Sequence, residues 1–114
     1  MPMFDPVRHM HPDVENVDLA QIAEYIAVDN ADAARSVVRA IWETFQLLAV
    51  HPRLGTEYSP LRRTLKGIRM MVVTEYPNYL IYYRPLPDAA GVRILYVLHA
   101  ARDAANYARD HRRQ

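Results

Sequence analysis

Apolar residues recur at helical spacing in two segments that lie almost back to back. Val14, Val17, Leu19, Ile22 and Ile26 are spaced for one face of a helix over about residues 14–28, with Asp13 or Asn16 available as its cap. A second helix follows, capped by Asn30. Ala34, Val38, Ile41, Phe45 and Leu48 form its apolar stripe, flanked by Val37, Trp42 and Ala49, and Pro52 lies just past its end. The connector around Asp29-Asn30 is too short for anything but an antiparallel helical hairpin, whose shared apolar stripe needs a cover.

Three later runs, Ile68–Tyr76, Tyr79–Arg84 and Val92–His99, supply that cover. They are rich in Val, Ile, Leu and Tyr and are separated by Pro77-Asn78 and by Pro87–Gly91, the pattern of an antiparallel meander. A two-residue turn at Pro77-Asn78 would place Val73 opposite Tyr82 and Met71 opposite Arg84, so that Arg69 and Arg84 share a face. Ile68, Met70, Val72, Ile81 and Tyr83 then form the face toward the helices. The longer loop leaves the register of the last strand open, and with it whether His99 joins the two arginines. The fold class is α+β, an N-terminal helical hairpin packed on a small antiparallel sheet. One domain is expected over residues 1–114, with about 104–114 a short helix or mobile basic tail.

Charge changes the picture more than composition does. Residues 1–32 carry seven acidic groups and one basic, net −6, whereas residues 33–114 carry thirteen basic and six acidic, net +7. Arg53, Arg62, Arg63, Lys66 and Arg69 are interrupted only by Glu57, and Arg109, Arg112 and Arg113 crowd the C-terminus. Such clusters suit nucleic acid or an acidic protein segment, or simply face solvent. With no cysteine there is neither a disulfide framework nor a thiolate metal site, as fits a reducing cytoplasm. No apolar run reaches the length of a membrane span, and Met1–Pro6 lacks the basic and apolar regions of a signal peptide, so a soluble cytoplasmic protein is expected.

Five fragments in fixed order carry a family resemblance: Asp18–Ile26, Pro52-Arg53-Leu54-Gly55, Gly67-Ile68-Arg69, Tyr79–Arg84 and Val97-Leu98-His99-Ala100-Ala101-Arg102. Together they resemble the ParE/RelE superfamily of toxins from bacterial toxin–antitoxin pairs, and within it the ParE branch. The resemblance spans about residues 14–103. It implies a further short strand at about residues 5–10, which Pro6 and Pro12 confine to an edge. It also implies a plasmid-stabilising toxin that arrests growth by binding DNA gyrase and is silenced by a cognate ParD-like antitoxin in a hetero-oligomer. On that basis Arg69, Arg84, His99 and Arg102 are target-binding residues, needing no cofactor. Ile22, Tyr25, Ile26 and Trp42, with Arg62 and Arg63, are the antitoxin-binding set, an apolar helix being expected to seek a groove beside the hairpin.

The RelE branch implies a different activity, metal-independent cleavage of messenger RNA on the ribosome. That chemistry needs a base for the 2′-hydroxyl, cations for the phosphorane and an acid for the leaving oxygen. Lys66, Arg69, Arg84, His99 and Arg102 are the residues available for it. RelE-type members typically place a tyrosine or a His-Tyr pair after the last strand, where this chain reads Ala100-Ala101-Arg102 and has only the displaced Tyr107. Binding is therefore preferred over catalysis, and a non-toxic member that only binds its antitoxin is a third alternative. Arg69 and Arg102 serve equally well as structural ion-pair members, Arg102 with Asp103 or Glu75. His9-x-His11 has metal-site spacing, yet no third ligand is evident. Tyr76, Tyr79, Tyr82, Tyr83 and Tyr96, which would offer a stacking surface to bases, are also ordinary strand residues. Met70-Met71 and Trp42 are packing residues first.

Overall fold

The computed structural model of the chain describes residues 10–58, 67–87 and 91–101. The N-terminal hairpin forms as the periodicity predicts. A π-helical stretch, Val14–Leu19, runs into helix α1 (Ala20–Ala27), and α2 (Ala31–Val50) returns beside it. Asn30 is extended and its side-chain oxygen accepts the Ala33 N–H at 3.0 Å, so it caps α2 as expected. Neither Asp13 nor Asn16 caps the first helix through its side chain: Asp13 is already helical, and His11 accepts instead, its Nδ1 taking the Asp13 N–H at 3.1 Å and its carbonyl the Val14 N–H at 2.9 Å. On α2 the buried stripe is Ala34, Val37, Ala40, Ile41, Phe45 and Leu48. Val37 thus takes the interior place that the spacing gave to Val38, which is only half-buried.

Four antiparallel strands follow in the order β1 (Thr56–Glu57), β2 (Arg69–Val72), β3 (Tyr79–Pro85) and β4 (Val92–His99). The meander of three is as predicted; the two-residue β1 has no hydrophobic signature and was not. Of the N-terminal strand at residues 5–10, Met10 alone is described, and it makes a parallel bridge with Ile94. The rest lies outside the described residues, as does the C-terminal segment 104–114.

The β2–β3 register corrects the expectation by three residues. Met71 stands opposite Ile81, not Arg84, and the Val73 N–H bonds to the Tyr79 carbonyl at 3.0 Å across a five-residue loop, Thr74–Asn78. The reason is local. A two-residue hairpin turn needs positive φ at its first central position, and the proline ring of Pro77 forbids it. The chain instead makes successive bonds from Tyr76 N–H to Val73 O and from Tyr79 N–H to Tyr76 O. An odd slip exchanges the two faces. Ile81 and Tyr83 consequently join the helix-side core with Val14, Ile22, Ile41 and Phe45, whereas Ile68 and Met70 belong to a second cluster with Tyr82, Leu95 and Leu98. Both sheet faces are apolar, which is why β3 and β4 read as nearly unbroken apolar runs.

The outer edge of β4 is closed by the N-terminal segment. His11 N–H donates to Ile94 O at 2.9 Å, and the buried Asp18 carboxylate accepts the Val97 N–H at 3.0 Å. Edge groups left bare would invite pairing with another chain.

Candidate functional site

The Pro52-Arg53-Leu54-Gly55 fragment forms the turn that carries the chain from the end of α2 into β1. Two residues of the sheet hold it. Tyr83, with no exposed surface, donates its hydroxyl to Pro52 O at 2.7 Å and accepts the Gly55 N–H at 2.9 Å. Arg69 donates Nε to Gly55 O at 3.0 Å and Nη2 to Arg53 O at 3.2 Å, a planar fork grasping two carbonyls of one turn. Gly55 is required by proximity: a Cβ there would lie 2.6 Å from the Tyr83 hydroxyl and 2.8 Å from Met70 O. Burial raises the Tyr83 phenol above its ordinary value, opposed by the Gly55 N–H and by the Arg69 guanidinium. Tyr82, on the other face, is raised by burial and secondarily by Tyr58.

Among the described residues, the target-binding candidates do not converge. Arg69 and Tyr83 are cross-strand partners on the helix side of the sheet, and one consequence of the corrected register is that Arg84 projects from the opposite side. There it faces Arg93 across β3–β4 and lies over Gly67, where a Cβ would be 3.0 Å from its Nη1. His99 pairs with Tyr79, its ring meeting the tyrosine edge-to-face at 5.3 Å. It shares a side with Arg69, but the four residue steps along β3 from Tyr79 to Tyr83 separate the two by about 13 Å in the strand direction alone. Lys66 and Arg102 lie outside the described residues.

Of the antitoxin-binding set, Ile22 is a core residue with 2% of its surface exposed, so it cannot be offered to a partner without unfolding. A helix periodicity shows that residues share a face, not how deeply that face is buried. Ile26 and Trp42 are half-buried against the core, Trp42 edge-to-face with Phe45, and Tyr25 is openly exposed. Arg62 and Arg63 are outside the described residues. His11 caps a helix, and among the described residues no group of three or more His, Asp or Glu is placed to hold a metal ion. No described helix is long and apolar enough to cross a membrane.

Sequence reasoning missed the roles of Gly55 and Tyr83 in this turn and of Asp18 at the edge of β4. For Gly55 a signal existed, a glycine three residues after a turn-forming proline; for Tyr83 and Asp18 nothing in their spacing marks a hydrogen-bonding role.

No curated protein matches the chain. A family model described as the ParE toxin of the type II toxin–antitoxin system parDE matches residues 16–104, most of its length and all of the hairpin and sheet apart from the first two π-helical residues. The chain belongs to the ParE family of toxins of type II toxin–antitoxin systems.

Proposed function

We propose that this toxin acts by binding DNA gyrase and that its cognate antitoxin neutralises it by covering the arginine-rich half of the chain. The observation that carries the reading is the ParE family match over residues 16–104. The geometry supports binding over chemistry. General acid–base catalysis requires groups within hydrogen-bond reach of one reacting centre. Arg69 is engaged with loop carbonyls, Arg84 projects from the other side of the sheet and His99 sits at a distant strand end. Separated arginines suit a distributed interface, in which each forked cation meets its own carboxylate or phosphate.

Expression without the antitoxin is expected to arrest growth, with co-expression restoring it. Purified protein is expected to inhibit gyrase supercoiling and to accumulate cleaved DNA. Arrest with normal supercoiling and cut messenger RNA would replace gyrase with the ribosome as target. Normal growth at a high level of folded protein would leave a chain that only binds its antitoxin.

A further inference from the structure

We propose that the basic C-terminal segment of this chain, residues 102–114, packs against the outer flank of α1. Gln21, Tyr25 and Val28 follow one another at spacings of four and three, and Val28, the C-cap, keeps helical dihedrals, so the three line one side of that helix. They lie beside the buried face marked by Leu19 and Ile22, not on it. Tyr25 is 66% and Val28 81% exposed, and a neighbouring pair of large apolar residues left uncovered asks for an occupant. Glu24 and Asp29 border the pair, and among the described residues neither has an ion-pair partner. The flank therefore suits a segment that is apolar on one face and basic beside it.

The chain delivers such a segment to this place. Its N-terminal part runs parallel to β4, joining Met10 to Ile94 and then Asp18 to Val97. Past those contacts α1 advances about 12 Å from Asp18 to Ile26, and β4 about 7 Å from Val97 to its end at His99. The last strand thus finishes abreast of the middle of α1. Ala100 and Ala101 are already helical, and the sequence continues that period: Ala101, Ala104, Ala105 and Ala108 would share a face, with Arg102, Arg109 and Arg113 along its flank and Asp103 and Asp110 on the far side. Small side chains permit close approach to Tyr25 and Val28. The arginines then meet Glu24 and Asp29, in keeping with a net charge of +2 over residues 102–114, four arginines against two aspartates. As a helix the segment reaches about 20 Å, enough to lie antiparallel along the flank from Val28 to Gln21. Being tethered, it needs only weak contacts to stay there.

The test uses the full chain, made in a cell-free system. It has no cysteine, so Asn106→Cys provides one attachment point for a nitroxide, on the polar side of the segment. Amide NMR spectra of the labelled, isotope-enriched protein are compared with the nitroxide active and reduced. Gln21, Glu24, Tyr25 and Val28 should lose intensity while it is active, and Gln46–Val50, at the other end of the hairpin, should keep theirs. Salt at about 1 M, which screens charges beyond about 3 Å, should lessen the loss. Glu24→Lys combined with Asp29→Lys should abolish it, as should Tyr25→Ser combined with Val28→Ser. All four positions are exposed, and unshifted signals around Val97 report that the fold is kept. Neither gyrase nor an antitoxin enters the experiment, so its failure leaves the toxin reading standing. Full intensity along α1, or a loss that survives the charge reversal, would overturn the proposal. So would a loss of the same size when enriched chain without the label is mixed with labelled chain, because a second copy would then supply the segment.

Discussion

Arg69 and Tyr83 stand directly opposite each other on β2 and β3, and both reach the same turn, one through its guanidinium and the other through its hydroxyl. Four hydrogen bonds thereby fasten Pro52–Gly55 to the middle of the sheet. The arrangement depends on burial: the Tyr83 hydroxyl has no water to fall back on, so each partner it holds would be left unsatisfied without it.

Tyr83→Phe is expected to destabilise the protein by about 1–3 kcal/mol, the usual cost of orphaning buried polar groups. The Gly55 N–H and the Pro52 carbonyl both lose their partner, while the ring still fills the core. Thermal unfolding of the two proteins measures the difference. An unchanged melting temperature would mean that solvent reaches the turn.

Stability should decline in alkali. Tyr82 and Tyr83 are both raised from an ordinary value of 10.0, with burial as the largest cause. The unfolded chain therefore loses these protons first as pH rises, and above about pH 10 it is favoured progressively until the folded phenols ionise. Their contribution is whole below pH 10 and falls above it. Denaturant unfolding at pH 8 to 11 should show the fall, and Tyr82→Phe and Tyr83→Phe should each make it shallower.

Two glycines invite a contrast. At Gly55 a Cβ would meet a backbone carbonyl and a buried ring, neither of which can withdraw, so Gly55→Ala is expected to cost about 1–3 kcal/mol as overpacking, or more. At Gly67, where φ is +90°, the near neighbour is the flexible end of Arg84. Gly67→Ala should then cost roughly 1–3 kcal/mol, chiefly as backbone strain. Repacking Arg84 in a double variant should leave the Gly67→Ala loss nearly unchanged, and relief of that loss would refute the distinction.

Asp18 lies in the middle of the acidic N-terminal part of the sequence, yet it is buried with 8% of its surface exposed and accepts the Val97 amide at the edge of β4. Asp18→Asn keeps an acceptor, whereas Asp18→Leu removes it and should cost about 1–3 kcal/mol. Amide hydrogen exchange checks the mechanism. The Val97 amide should exchange faster in the leucine variant than in the asparagine variant, and equal protection in both would remove Asp18 from the edge.

The hairpin was legible because its signals are local: spacing of three and four, the Asn30 cap and the stop before Pro52 all concern neighbours in sequence. The meander was legible for the same reason. Pairing was not, since an apolar run such as Tyr79–Tyr83 presents large side chains on both faces and so does not mark which one the helices cover. Pro77 held the decisive information, because its fixed φ excludes the tight turn. The candidate site inherited that error: Arg69 and Arg84 shared a face only in the slipped register. The hold of Arg69 on Arg53 and Gly55 spans 16 and 14 residues and belongs to the fold, not to any local pattern.

Binding and catalysis make different demands on these residues, and Arg69 carries a structural demand of its own through its hold on the turn. For a gyrase-binding toxin, Arg84→Ala and Arg102→Ala should weaken growth arrest in a graded way, because few positions of an interface exceed about 1 kcal/mol on truncation. Arg69→Ala should differ from these in kind, losing two bonds to the turn and lowering the melting temperature together with toxicity. Arg69→Lys should not restore it, since an ammonium cannot reproduce the fork. His99→Ala should act through stability, at about 0.5–1.5 kcal/mol for a lost edge-to-face aromatic contact. For a nuclease, loss of a general acid or base should instead lower the rate about 10²–10⁴-fold with the fold intact. Melting temperature, growth arrest, gyrase-linked DNA breaks and messenger cleavage measured on all four alanine variants separate the two. A His99→Ala protein with unchanged melting temperature, abolished toxicity and lost messenger cleavage would overturn the gyrase reading. DNA breaks that persist in His99→Ala and diminish in Arg84→Ala and Arg102→Ala would support it.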